Sequence, residues 1–246
     1  MSQNIEAVWQ TAEWTKQARN IISGIKLFPK NAKIFLFLRH SQREDSNDAT
    51  VLDKMELTEL GFDIARIFGT KLPTSRHLLL FYSHSPRCVQ TAQAIIEGFY
   101  ENGGRYEVRG TQTPVNKLNS KKGFITTQAL KYGGPDFITR WRENNLPRSN
   151  IIGFEEYCQK VYNYIKDFGE SSREGTVCIH VTHDLFVMAL REGWFNYSSE
   201  YYWPSFLGGF AISIGLDTNY LLDHRSRVPI PFVQRDGKTT PLFKIK

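Results

Sequence analysis

Three strand-length runs of mainly apolar residues constrain the fold of this 246-residue chain more than any other feature of its sequence. They cover residues 33–38, 77–82 and 176–182 and are rich in residues that favour β-strands. Such runs are typical of strands buried on both faces of a parallel sheet. Between them lie segments with the apolar spacing of helices. The alternation predicts an α/β fold, a three-layer αβα arrangement with a mostly parallel central sheet.

The helix signals between the strands are specific. Thr58 is a favourable N-cap for a helix that runs to about Gly69, and Ser85 followed by Pro86 predicts the start of another. Residues 1–30 are predicted to be an N-terminal amphipathic helix and a connector, and residues 31–246 the main domain. Within that domain, the polar, glycine-punctuated residues 101–152 predict a lid-like insertion over the sheet, with a helix near residues 137–143.

Composition excludes several classes of protein. With 41% hydrophobic residues the chain can bury a sizeable core, yet its longest apolar runs are five residues, far short of the roughly 18 that span a bilayer. Three widely spaced cysteines predict neither a disulfide framework nor a zinc site and favour a reducing cytoplasm. The net charge of +6 comes from scattered residues without a recognition helix or a stacking platform. We therefore expect a cytoplasmic protein with no membrane or nucleic-acid partner.

Charged side chains and histidines follow each of the three predicted strands. Because the carboxyl ends of parallel strands meet at one edge of a sheet, where ligands bind in open α/β folds, we expect these side chains to lie together. They are Arg39, His40 and Arg43 after the first strand, Arg87 after the second, and His183 and Asp184 after the third.

These residue types favour the chemistry of a phosphate dianion. The planar guanidinium of arginine matches phosphate in a bidentate geometry, and Arg87 also lies in the first turn of a helix, which attracts anions. A neutral histidine among guanidinium groups keeps a lone pair that can attack phosphorus. A second histidine can help to stabilise charge in the transition state. This pattern needs neither a metal nor another cofactor.

Four motifs in a fixed order resemble those of the histidine phosphatase superfamily, the phosphoglycerate-mutase-like proteins. They spread over residues 33–190, most of the chain. They are Leu38-Arg39-His40, Leu57-Thr58-Glu59-Leu60-Gly61, Arg87-Cys88-Val89-Gln90-Thr91-Ala92 and Thr182-His183-Asp184.

The resemblance implies a role for each charged residue. His40 would be the nucleophile that becomes phosphohistidine, and Arg39, Arg87 and His183 would complete the phosphate pocket. Arg43 would be the further arginine of members that contain Arg-His-x-x-Arg. The implied activity is that of a phosphatase, which hydrolyses a phosphomonoester of a small molecule or a phosphoprotein. A phosphomutase of the same family and a non-catalytic member that binds a phosphorylated ligand are the alternatives.

Two features depart from the family pattern. Ser41 follows the nucleophile where members usually have glycine, so its side chain could crowd the phosphate or hydrogen-bond near it. The segment before Arg87 is Ser-His-Ser-Pro, whereas many members place proline directly after the serines. Both concern the shape of the pocket rather than its charged groups.

The proton donor is open between three carboxyl groups. Some branches of the family place an acid directly after the second histidine, which Asp184 matches, although aspartate there is also a favoured helix cap. Glu44 and Asp45, just beyond Arg43, are the alternatives. A donor is needed because the leaving oxygen must be protonated at neutral pH.

Overall fold

The computed structural model describes residues 4–44, 46, 48–52, 54–111, 113–116, 118, 120–214, 218–234 and 241–245. The helices in these residues are α1 (Ile5–Thr11), α2 (Lys16–Ile25), α3 (Ala49–Leu52), α4 (Glu59–Lys71), α5 (Pro86–Glu101), α6 (Phe124–Tyr132), α7 (Gly134–Arg142), α8 (Phe154–Ser171) and α9 (Asp184–Phe195). The strands are β1 (Lys33–Arg39), β2 (His77–Tyr82), β3 (Arg105–Gly110), β4 (Thr176–Thr182), β5 (Gly209–Ile214), β6 (Asn219–Asp223), β7 (Ile230–Gln234) and β8 (Phe243–Ile245).

One sheet contains these strands in the order β3-β2-β4-β1-β5-β6-β7-β8. The first four are parallel to one another, which confirms the predicted parallel core. From β5 onward each strand is antiparallel to its neighbour. The connections from β5 to β6 and from β6 to β7 are too short for the crossover that parallel neighbours need, so these two pairs of strands must be antiparallel.

Side chains of β1 alternate between two apolar cores. Phe35 and Phe37 pack on one face of the sheet with apolar residues of α7, α8 and α9. Ile34, Leu36 and Leu38 pack on the other face with residues of α2, α4 and α5. All five are completely buried, and burial of each such side chain contributes about 1.5–3 kcal/mol. Helices therefore cover both faces, which confirms the predicted three-layer αβα architecture.

The two predicted helix starts lie where expected but differ in their capping. The side chain of Thr58 accepts a hydrogen bond of 2.9 Å from the backbone N–H of Gly61 at the start of α4. Ser85 is the N-cap residue of α5, but its side chain makes no capping hydrogen bond. The start of α5 instead relies on Pro86, whose fixed φ suits the first helical position.

The N-terminal segment and the predicted insertion are more subdivided than the sequence suggests. Residues 5–25 form α1, a 3-10 turn and α2, and Trp9 and Ile21 pack in the same core as Ile34 of β1. The segment predicted as an insertion begins with β3, an edge strand whose residues are mostly exposed, and continues into α6 and α7. An exposed edge strand carries no apolar run, so the sequence pattern did not predict β3 as a strand. The lid-like role of residues 101–152 stays a prediction.

Every helix in the described part of the chain is too short or too polar to cross a lipid bilayer.

Candidate active site

The ends of three parallel strands bring the predicted site residues together. Strand β4 lies between β1 and β2, so the segments that leave all three meet at one edge of the sheet. The backbone N–H of His40 donates to the carbonyl of Thr182 at 2.9 Å, and that of Ser83 donates to the carbonyl of Val181 at 3.0 Å. These bonds extend the sheet pairing past the strand ends and place His40, Ser83 and His183 side by side.

His40 is held as a neutral imidazole with a defined tautomer. Its Nδ1 donates to the carbonyl oxygen of Ser41 at 2.7 Å, which leaves the lone pair on Nε2. Nε2 accepts a hydrogen bond of 3.2 Å from Nε of Arg87. The side chain is 3% exposed, and burial, followed by the charges of Arg39, His183 and Arg87, lowers its pKa well below the ordinary value. His40 is therefore unprotonated at neutral pH and can act as a nucleophile.

Arg87 links the two histidines. Its Nη1 donates to the carbonyl of Leu52 at 2.6 Å, and its Nη2 donates to Nδ1 of His183 at 3.2 Å. Nε2 of His183 consequently carries the proton and donates to Oγ of Ser83 at 3.2 Å. Burial and the neighbouring charge of Arg87 lower the pKa of His183 as well. The two imidazoles, with ring centroids 5.6 Å apart, thus share one guanidinium.

Arg39 and Asp184 form an ion pair at the edge of this cluster. Nη2 of Arg39 lies 3.1 Å from Oδ2 of Asp184, and the same oxygen accepts a bond of 3.2 Å from Nε1 of Trp203. Arg39 also stacks over the ring of Phe206 and donates to the carbonyl of Pro204. Burial alone would raise the pKa of Asp184, but Arg39 and Trp203 outweigh it and lower the pKa. Without a ligand, Asp184 is thus an ionised carboxylate.

The other predicted residues are placed differently. Arg43 lines the site cavity, and its Nη1 donates to the carbonyl of Glu44 at 2.5 Å. The side chain of Glu44 is exposed and does not line the cavity. Asp45 lies outside the described residues. Among the described residues that line the cavity, Asp184 is the one carboxylate. It is the first residue of α9, and His183 holds the N-cap position.

Ser41 faces α4 rather than the cavity. Its side chain is completely buried, and its hydroxyl donates to the carbonyl of Gly61 at 2.6 Å. Its backbone N–H donates to Oγ1 of Thr91 on α5. Ser41 is not among the residues that line the cavity. The serine therefore joins β1 to two helices and does not crowd the cavity.

A cavity of about 580 Å³ opens onto these groups. Several residues that line the cavity belong to no recognisable sequence motif, so the sequence analysis did not predict them. They are Ser83, Asn116, Trp203 and the apolar residues of α6 and of the first turn of α9. Trp203 belongs to an aromatic-rich stretch of the sequence, which was its one visible signal. Within the described residues, no three histidine, cysteine or carboxylate side chains are placed to hold a metal ion.

Comparison with known proteins identifies the fold. No family model matches the sequence, and no curated protein matches it. YhfR from Bacillus stearothermophilus superposes with a TM-score of 0.54 at 16% identity, over 79% of this chain and 98% of that one. A proposed alpha-ribazole-5'-P phosphatase from Escherichia coli superposes with a TM-score of 0.51 at 17% identity, over 80% of this chain and 98% of that one. The chain has the same fold as these two proteins, which confirms the predicted α/β architecture.

Proposed function

We propose that the protein is a phosphatase that hydrolyses a phosphomonoester through a phosphohistidine intermediate on His40. The observation that carries this proposal is the contact between Arg87 and Nε2 of His40, inside a cavity lined by two further arginines. A neutral histidine, which can act as a nucleophile, and the arginines that can bind a phosphate dianion thus lie in the same cavity. The fold is also that of a proposed phosphatase from Escherichia coli.

Binding of the dianion would use the charges that already line the cavity. Arg39, Arg43 and Arg87 supply guanidinium groups, and His183 supplies a second imidazole. In the unliganded cavity, Nε of Arg87 donates to Nε2 of His40. A phosphate oxygen bound between these two side chains would take the place of Nε2 as the acceptor of that hydrogen bond. Charge-assisted hydrogen bonds of this kind are about twice as strong as neutral ones. They would strengthen further as charge develops on the equatorial oxygens in the transition state.

The chemistry would proceed in two balanced steps. First, the lone pair on Nε2 of His40 attacks phosphorus, an N–P bond forms, and the bond to the alcohol oxygen breaks as that oxygen takes a proton. Water then attacks the phosphohistidine, inorganic phosphate leaves, and the proton of the water returns to the group that donated one. His40 regains its lone pair, and no redox partner is consumed.

Asp184 is the proton donor that we propose. In the unliganded cavity its ion pair with Arg39 keeps it ionised. A phosphate dianion bound to Arg39 would compete for that guanidinium and bring a negative charge close to the carboxylate. Both effects raise the pKa of Asp184. Substrate binding would thereby prepare the acid that the leaving alcohol needs.

Hydrolysis of nitrophenyl phosphate in the presence of a chelator tests the function. We expect turnover by the wild-type protein, a loss of at least 1,000-fold in His40→Ala, which matches removal of a covalent nucleophile, and an acid-labile phosphoprotein in the wild type alone. Equal rates in the two proteins would contradict the mechanism, and loss of activity on chelation would indicate a metal enzyme. Transfer of phosphate to a second alcohol rather than water would identify a phosphomutase. Phosphate binding without turnover would identify a non-catalytic member.

A further inference from the structure

Residues 203–208, between α9 and β5, hold Arg39 at three points. Nη1 of Arg39 donates to the carbonyl of Pro204 at 2.7 Å, and the guanidinium stacks over the ring of Phe206, 4.5 Å from its centroid. The backbone N–H of Arg39 donates to the carbonyl of Gly208 at 2.9 Å. The orientation of the guanidinium in the cavity therefore depends on the conformation of this segment.

The backbone of residues 203–208 is strained near both of its ends. Tyr202, just before the segment, has a φ of 60°, and Leu207 within it has a φ of 56°. Both values lie in the left-handed region, which residues other than glycine rarely adopt. Such conformations persist only where the surrounding structure fixes them. Contacts from other parts of the chain are therefore expected to hold the segment in place.

Gln17, in the first turn of α2, supplies such contacts with both polar atoms of its amide. Nε2 of Gln17 donates to the carbonyl of Trp203 at 3.1 Å, and Oε1 accepts from the backbone N–H of Ser205 at 2.8 Å. One partner is an acceptor and the other is a donor, so they define which way the amide is turned. Gln17 thus joins the N-terminal helices to the segment that holds Arg39.

Two further features fit the N-terminal helices to residues 203–208. The ring of Trp14 packs edge-on against Phe206, the ring on which Arg39 stacks, with 6.0 Å between the centroids. Gly208 lies directly against Oε1 of Gln17, and a Cβ at Gly208 would overlap that oxygen. The absence of a side chain at this glycine therefore makes room for the amide.

The contact with Ser205 fixes the carbonyl to which Arg39 donates. The N–H of Ser205 and the carbonyl of Pro204 belong to one planar peptide unit, in which the two groups point in opposite directions. Gln17 accepts from the N–H on one side of this unit, and Arg39 donates to the carbonyl on the other. A rotation of the peptide plane would break both hydrogen bonds. The amide of Gln17 therefore sets the direction in which the Pro204 carbonyl meets Arg39.

We propose that Gln17 is a positioning residue, which acts through the peptide between Pro204 and Ser205 to hold Arg39 in the orientation that binds the phosphate dianion. This inference rests on the proposed phosphatase function, in which Arg39 is one of the phosphate ligands. Loss of the amide leaves the charge of Arg39 in place but lets the guanidinium adopt other orientations. Phosphate affinity then falls in proportion to the fraction of molecules in which Arg39 is misplaced.

The affinity for inorganic phosphate, measured by isothermal titration calorimetry, tests this role. Gln17→Met keeps the length of the side chain but removes both hydrogen bonds. We expect the Kd for phosphate to rise about five- to tenfold in Gln17→Met, as for the loss of one oriented hydrogen bond. In an Arg39→Gln background the same substitution should raise the Kd less than about twofold, because no guanidinium remains to be positioned. The kcat/KM for nitrophenyl phosphate should fall in the same pattern.

Gln10→Met is the matched control. Gln10 is an exposed glutamine on α1 whose amide donates to Glu6 of the same helix. Its replacement should change the Kd for phosphate less than about twofold, as expected of an exposed position away from the site. All titrations are made well below the thermal midpoint of each variant, so that every protein compared is folded.

Three contrary results would overturn the positioning role while the phosphatase function stands. They are a Kd for phosphate that is unchanged in Gln17→Met, an equal rise in Kd with and without Arg39, and a rise of the same size in Gln10→Met. A lower thermal midpoint in Gln17→Met with an unchanged Kd would show that Gln17 serves only the fold. A wild-type protein that neither binds phosphate nor hydrolyses nitrophenyl phosphate would overturn the proposed function, and this inference with it.

Discussion

Arg87 donates a hydrogen bond of 3.2 Å from its Nε to Nε2 of His40, the nitrogen that we assign as the nucleophile. The same guanidinium donates from Nη2 to His183, so a single side chain orients both imidazoles. Its position in the first turn of α5, with the side chain 8% exposed, makes this geometry rigid. Three different donor atoms of one planar group are used, and lysine cannot reproduce that arrangement.

Replacement of Arg87 by lysine should therefore impair catalysis while it keeps the positive charge. We expect Arg87→Lys to lower kcat/KM for phenyl phosphate by at least about 100-fold, comparable to the loss of an oriented transition-state donor. The matched control is Arg66→Lys, since Arg66 lies half-exposed on α4 in an ion pair with Glu101. Steady-state kinetics give kcat/KM for both variants, and circular dichroism checks that both are folded. A change below threefold in Arg87→Lys would show that charge alone suffices.

Removal of the Asp184 acid should matter most for poor leaving groups. Asp184→Asn is expected to slow hydrolysis of an alkyl phosphate by roughly 100-fold or more, within the usual contribution of general acid catalysis. Nitrophenyl phosphate, whose leaving group needs little protonation, should lose much less. Trp203→Phe removes a hydrogen bond to the same carboxylate but not the carboxylate itself, so its losses should be small for both esters. Equal losses for the two esters in Asp184→Asn would show that Asp184 does not protonate the leaving group.

The activity of the wild type should persist well below pH 6.5. In the proposed mechanism His40 acts in its neutral form, and burial together with the charges of Arg39, His183 and Arg87 lowers its pKa. Protonation, and with it loss of the nucleophile, therefore occurs only at a pH well under the ordinary histidine value. In Arg39→Gln one of these charges is gone, so the acid limb of the kcat/KM profile should move up in pH. A wild-type acid limb near pH 6.5, or no movement in the variant, would contradict this explanation.

His180 should make the fold sensitive to acid. It lies in β4, stacked between the rings of Phe37 and Phe81, and neither ring nitrogen has a hydrogen-bond partner in the part of the chain that the structure describes. Burial lowers its pKa to about 3. The unfolded chain therefore binds a proton near pH 6.5 that the folded chain does not, and the free energy of unfolding declines as the pH falls from 6.5 towards 3.

The variant His180→Leu tests this contribution. Between pH 6.5 and pH 5 the wild type should lose about 1.6 kcal/mol more stability than the variant, because the slope for one proton rises from half of about 1.36 kcal/mol per pH unit at pH 6.5 to nearly the full value at pH 5. Urea unfolding at the two pH values measures the difference. Ile179→Val, on the same strand, should cost about 0.5–1.5 kcal/mol at both pH values alike. Parallel pH dependences for the wild type and His180→Leu would mean that His180 binds a proton as readily in the folded chain as in the unfolded one.

The sequence alone determined the parallel core and the residues at its edge. The runs that became β1, β2 and β4 are uninterrupted because both faces of those strands are buried, so a local pattern was enough to place them. Arg39, His40 and His183 then had to meet, because the carboxyl ends of neighbouring parallel strands share one edge. Thr58 at the start of α4 was equally predictable, since capping is a local interaction.

Only the tertiary structure decided the features that depend on distant parts of the chain. Strand β3 shows no apolar pattern because its residues lie exposed at a sheet edge. The low pKa of Asp184 results from Arg39 and Trp203, and Ser41 finds its acceptor in Gly61; none of these partners is a neighbour in sequence. Burial and hydrogen bonding are properties of neighbours in space, and a linear pattern records only neighbours along the chain.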